Sequence, residues 1–81
     1  MKAKAFGYAK KRLSEEGLLA MSEVSFVASP AELKRIAAFL VKCAEDMERH
    51  GPKFGHNHLS AEKDLHPWSK DSVDVIVARG D

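Results

Sequence analysis

One helix, marked at both ends, constrains this chain more than any other feature of its sequence. The segment Ser29–Glu32 is a start signal, because its serine can cap free amides, its proline suits the first helical position and its glutamate completes a capping box. Gly51 and Pro52 mark the end, since glycine accepts the left-handed C-terminal turn and proline cannot continue a helix. The sequence therefore predicts a helix over Pro30–His50.

Apolar residues recur along this helix at spacings of three and four, which predicts one buried stripe. The expected stripe consists of Leu33, Ile36, Ala37, Leu40, Ala44 and Met47, and it is widened by Phe39 and Cys43. Cys43 is the only cysteine, so it cannot form an intrachain disulfide, and we expect it to be a buried packing residue.

Three strands are predicted around the helix. Ala3–Tyr8 alternates lysine with alanine or phenylalanine, Leu19–Val27 has a period of two, and Val73–Ala78 is apolar on both faces. We expect the first two to pair as a hairpin, and residues 53–72 to form a long loop before the last strand. The chain is thus predicted to be a single α+β domain over residues 1–81, with the order β-β-α-β and a small three-stranded antiparallel or mixed sheet.

The predicted core is thin for such a fold. A chain of 81 residues buries only about 60% of the surface that its unfolded form exposes. One helix covers one face of a sheet, so the other face needs the long loop, anchored by Phe54 and Trp68, or a second copy of the chain. We expect a homodimer.

Charge and hydropathy argue against two classes of partner. The 13 basic and 12 acidic residues nearly cancel, and the basic start of the chain is followed at once by Glu15 and Glu16, so we expect no nucleic-acid binding. The sequence has no long apolar run and no hydrophobic stretch of a signal peptide at its start. We therefore expect a cytoplasmic protein that does not bind membranes.

Enzymatic signatures are also missing from the sequence. No set of nucleophile, base and orienting residue can be named, and neither a phosphate-binding loop nor a cofactor fingerprint is present. We expect no catalytic activity and no cofactor.

Histidines are the most distinctive residues of the predicted loop. His56 and His58 are two apart, so in an extended segment both rings point the same way, and with His50 or His66 they would offer three nitrogen ligands to zinc or another divalent ion. Exposed loop histidines are common, and Asn57 between them suits a turn. We therefore expect these rings to form hydrogen bonds or to line a contact surface, with a His56, His58 and His66 metal site as the alternative.

The motifs that follow the helix start resemble those of the bacterial immunity protein 32 family of polymorphic toxin systems. That family is a small α+β domain marked by a Gly-x-x-His motif, a tryptophan and an acidic residue with a glycine. Gly55 and His58 match the first motif, Trp68 resembles the family tryptophan, and Glu48 with Gly51 are the candidates for the third. The resemblance extends from about the second strand to the last.

This resemblance implies a binding protein that blocks a cognate toxin in the cell that makes it, by steric or electrostatic occlusion. The expected partner-binding residues are Phe54, Gly55, His56, His58 and Trp68. Two alternatives stay open at this point, a histidine-ligated metal-binding protein and a homodimeric structural domain.

Overall fold

The helix begins and ends where the sequence predicts. The computed structural model describes residues 3–13, 19–62, 68 and 71–80. Helix α1 spans Pro30–His50. The Ser29 hydroxyl accepts a hydrogen bond from the Glu32 amide at 3.2 Å, and the Glu32 carboxylate accepts one from the Ser29 amide at 2.9 Å. The capping box is therefore complete.

The end of α1 is held by the C-terminal part of the chain. Gly51 has a positive φ of 56°, which favours glycine, and its amide donates to the Met47 carbonyl. The Arg79 guanidinium donates to the carbonyls of Met47 and Gly51 at 3.3 Å each. These contacts satisfy carbonyl groups that a helix end leaves without intrahelical partners.

The N-terminal strands form the predicted hairpin. Strand β1 spans Lys4–Leu13, β2 spans Leu19–Val27, and the two are antiparallel. Strand β1 extends beyond Tyr8, where the predicted first strand ends, because backbone pairing with β2 outweighs the low strand preference of charged residues. The register shifts between Tyr8 and Ala9, and the Ser22 hydroxyl donates to the Tyr8 carbonyl there.

A second two-stranded sheet replaces the predicted three-stranded one. Strand β3 spans His56–His58, β4 spans Ile76–Ala78, and they pair with each other rather than with the hairpin. The expectation of one three-stranded sheet is therefore wrong, and so is that of an unbroken loop over 53–72. A three-residue strand with polar residues gives no period-two signal, and its pairing partner is distant in sequence. Short 3₁₀ helices, Gly51–Lys53 and Leu59–Ala61, flank β3.

The core lies between α1 and the β3–β4 sheet. Its buried residues are Ile36, Phe39, Cys43 and Leu59, and partly buried Phe54, Trp68, Val75 and Val77 pack against them. An ion pair between Lys42 and Glu62, at 2.5 Å, joins the helix to the segment that follows Leu59. The buried position of Cys43 is as predicted.

The predicted helix stripe is only partly correct. Leu33 and Leu40 are 43% and 44% exposed, whereas Phe39 is fully buried. The buried residues lie on an adjacent side of the helix, which includes Ile36 and Cys43, because that side faces Leu59 and the β3–β4 sheet. Periodicity shows that a helix has an apolar side, but the position of its partner decides which residues are covered.

The hairpin joins the rest of the chain mainly at its start. Ala3 is buried, its amide donates to the Ser72 hydroxyl, and its carbonyl accepts from the Val73 amide, both at 3.0 Å. Within the described ranges, the hairpin makes few contacts with α1.

Among all the residues that the structure describes, no helix is long and apolar enough to cross a membrane.

Gly7 in β1 lies where a side chain does not fit. An added β-carbon would collide with the end of the Met21 side chain and with the Glu23 carbonyl oxygen, and that oxygen belongs to the paired backbone. We expect Gly7→Ala to lower the free energy of unfolding by about 1–3 kcal/mol. Gly55→Ala is the control, because its methyl group would meet nothing within 4 Å. Equal urea-unfolding midpoints for the two variants would contradict this account of the hairpin.

Candidate functional site

Antiparallel pairing gives the β3–β4 sheet two distinct faces. Asn57 and Val77 are directly opposite each other and share the inner face, where Val77 packs on the core and Asn57 hydrogen-bonds to Cys43. The outer face, which points away from α1, carries His56, His58, Ile76 and Ala78. The sheet thus buries one face and presents the other to solvent.

The outer face combines two imidazole rings with an exposed aliphatic side chain. The centroids of the His56 and His58 rings lie 5.2 Å apart with an angle of 67° between the rings, which confirms that both point to the same side. Ile76, directly opposite His58, is 55% exposed. Apolar contact area beside groups that can form hydrogen bonds is the usual composition of a protein-binding surface.

A hydrogen bond with Asp74 fixes the His58 ring. Its Nδ1 lies 2.8 Å from Asp74 Oδ2, and the other carboxylate oxygen of Asp74 accepts from the Ser60 amide at 2.9 Å. Burial acts to raise the pKa of Asp74, but the hydrogen bonds from His58 and Ser60 outweigh it, so this pKa lies below its usual value. Asp74 is therefore ionised at neutral pH. His58 must donate through Nδ1, which leaves Nε2 as the ring nitrogen that Asp74 does not engage.

The five predicted site residues divide between the core and the surface. Phe54 and Trp68 pack partly buried against the core cluster, and the Trp68 indole donates to the Val73 carbonyl at 2.8 Å. Gly55 is exposed, and neither a positive φ nor a close neighbour requires glycine at this position. Gly55 and the two histidines are therefore the members of the set that do not pack on the core cluster.

Sequence reasoning missed Ile76 and Asp74 as parts of this site. Both belong to the predicted last strand, in which Asp74, Ile76 and Ala78 alternate with valines. This period of two was a usable signal that the three residues share a side. Their proximity to the histidines was not readable, because it depends on the pairing of β4 with β3.

The metal alternative gains no support from the described residues. His66 lies outside them, and within them no group of three or more His, Cys, Asp or Glu side chains is placed to hold a metal ion. Burial raises the pKa of the Cys43 thiol, although a hydrogen bond with Asn57 opposes the shift. A protonated, buried thiol is both a poor ligand and a poor nucleophile.

Comparison with known proteins identifies one family. Residues 23–80 match the model of the family described as Imm32, Immunity protein 32. The match runs from within β2 to just beyond β4, so it includes the helix and both strands of the candidate site. Neither a curated protein nor a solved structure matches the chain.

The contact between Asp74 and His58 makes stability depend on pH. A carboxyl group with a lowered pKa stabilises the fold above its unfolded-state value of about 3.9, and this contribution is lost as the pH falls through the folded-state value. Asp74→Asn keeps the shape and removes the charge. We expect the variant to be less stable than the wild type at pH 7 and equally stable in strong acid.

Urea-unfolding midpoints of the two proteins at both pH values measure this effect. The pKa of Glu32 is also lowered, by hydrogen bonds from Ser29, but Glu32 is present in both proteins and its contribution cancels. A stability difference that does not change with pH would show that the charge of Asp74 plays no part.

Proposed function

We propose that this chain, which belongs to the immunity protein 32 family, binds and neutralises a cognate bacterial toxin. The family match over residues 23–80 is the observation that carries the proposal, because the matched region contains every residue of the candidate site. The protein acts by occupying the toxin, as a binding partner and not as an enzyme.

The outer face of β3–β4 is the proposed contact surface. His58 is held by Asp74 at 2.8 Å, so the ring loses little conformational freedom when a partner binds. Ile76 supplies exposed apolar area beside it. The open space above Gly55 lets the backbone of a partner come closer than any side chain would allow.

Phe54 and Trp68 have two roles in the proposed binding set, since they support the segment around β3 and also contact the partner. Each is partly buried against the core, so the covered part of the ring holds the segment around β3 in place. The exposed part of each ring contributes contact area to the partner. Aromatic rings suit this double role, because they are large and have few rotatable bonds.

The near balance of charge bears on how the complex would form. With a formal net charge of +1, the chain has little long-range field with which to attract a toxin of either sign. Affinity then comes from short-range contacts at the outer face, and it depends only weakly on salt. The proposal places this binding in the cytoplasm of the producing cell, by a homodimer that uses no cofactor, nucleic acid or membrane.

Co-expression with a candidate cognate toxin domain tests this function. We expect the wild-type protein to restore growth, and His56→Ala to weaken toxin binding at least tenfold, because loss of a central contact costs more than about 1.4 kcal/mol. His50→Ala is the matched control, since His50 is also exposed but lies at the end of α1. Titration calorimetry with purified toxin domain gives the affinities.

Two results would count against the proposal at different levels. Failure of the wild-type protein to bind the toxin domain or to restore growth would overturn the function. Protection by the wild type together with equal affinities for His56→Ala and His50→Ala would keep the function and move the contact surface elsewhere.

A further inference from the structure

Asp74 decides which nitrogen of the His58 ring carries a proton. Its carboxylate is held at both oxygens, since Oδ1 accepts from the Ser60 amide at 2.9 Å and Oδ2 lies 2.8 Å from His58 Nδ1. Because the pKa of Asp74 lies below its usual value, this carboxylate is ionised at neutral pH and only accepts hydrogen bonds. Nδ1 of His58 must therefore carry a proton. In the neutral ring, Nε2 then has none and is a hydrogen-bond acceptor.

Two titratable side chains lie against the His58 ring in the part of the chain that the structure describes, and they act on its charge in opposite directions. The carboxylate of Asp74 favours an imidazolium ion. The ring of His56, with its centroid 5.2 Å away, disfavours one, because two neighbouring cations repel each other. These opposing influences leave the ring in the neutral form that imidazoles mainly take at about pH 7.5.

The Nε2 atom of His58 is open to a partner. Among residues 3–13, 19–62, 68 and 71–80, the ring makes a hydrogen bond through Nδ1 and an edge contact with His56, and no residue hydrogen-bonds to Nε2. The His58 side chain is 39% exposed, so solvent can reach it. A protein that covers this face replaces that solvent.

Ile76 makes it costly to cover Nε2 without a hydrogen bond. The Leu59 amide donates to the Val75 carbonyl, so these two residues form a hydrogen-bonded pair. The neighbouring pair, His58 and Ile76, is therefore non-hydrogen-bonded, which brings its side chains closer together. A partner that buries Ile76 also excludes water from the ring beside it. An acceptor that loses water and gains no donor weakens the complex.

We propose that His58 selects the toxin by accepting a hydrogen bond at Nε2 from an N–H or O–H group of the toxin. A carboxylate at that place is rejected, because it has no proton to donate and would face both the Nε2 lone pair and the charge of Asp74. Asp74 is a positioning residue, since it acts through His58. The inference rests on the proposed function and names the chemical class of the toxin group at this surface.

The first experiment determines the tautomer in the protein without toxin. A long-range proton–nitrogen correlation spectrum of nitrogen-labelled protein at about pH 7.5 distinguishes protonated from unprotonated ring nitrogens. The signals of His58 are those that a His58→Asn variant lacks. We expect a protonated Nδ1 and an unprotonated Nε2. A wild-type ring that carries a proton on Nε2 would overturn the proposal.

The same spectrum tests the positioning role of Asp74. In Asp74→Asn, one amide oxygen has to serve both the Ser60 amide and the His58 ring, so the tautomer is no longer fixed. We expect the Nε2 signal of the variant to move towards the protonated form. A His58 ring with unchanged nitrogen signals would show that Asp74 does not set the tautomer.

The second experiment measures toxin binding by titration calorimetry. His58→Asn keeps a donor for Asp74 but has no group at the place of Nε2, so we expect it to weaken binding at least about tenfold. His58→Gln brings an amide oxygen near that place and should retain more of the affinity. His50→Asn is the matched control, because His50 is exposed at the end of α1 and should not affect binding.

Calorimetry in two buffers that differ in ionisation enthalpy also counts the protons exchanged on binding. Uptake of a proton by the wild type that His58→Asn does not show would mean that the ring binds as a cation to an acceptor, which overturns the proposal. Equal affinities for His58→Asn and His50→Asn would overturn it and leave the proposed function intact. A wild type with the expected tautomer that does not bind the toxin domain would overturn the proposed function, and this inference with it.

Discussion

Packing of α1 on the β3–β4 sheet is the contact on which the rest of the molecule depends. Phe39 is fully buried in it, between residues of the same helix and Leu59 from the segment after β3. Two strands of three residues have too few backbone hydrogen bonds to be stable alone, so the helix is what holds them. Because the helix occupies one face of this sheet, the histidines are left on the other.

The same contact explains why the hairpin remains uncovered. The described residues form one α-helix, and its buried side packs on the β3–β4 sheet, while Val24 and Phe26 of β2 are 53% and 42% exposed. At 17 Å in its shortest dimension, the molecule is about two layers thick. The molecule presents His56 and His58 on the outer face of β3–β4, where a hydrogen bond holds His58, and it exposes apolar side chains on the hairpin.

Local signals in the sequence predicted the local structure. The Ser29 cap, the period of two in Leu19–Val27 and the spacing of the histidines gave the helix, the second strand and the common direction of the rings. The β3–β4 pairing and the buried line of the helix were not predictable in this way, because each is decided by a distant part of the chain. Ile76 entered the candidate site only through that pairing.

The two matched positions of the Gly-x-x-His motif differ in what the fold requires of them. The fold has a use for the histidine at position 58, because its hydrogen bond with Asp74 links β3 to the segment before β4. The fold does not require glycine at position 55, because its φ is not positive and a β-carbon there would meet open space. Within the proposed function, the absence of a side chain at Gly55 therefore matters only when a partner approaches. A methyl group at this position should leave the free energy of unfolding unchanged while weakening the complex, which separates the requirements of binding from those of folding.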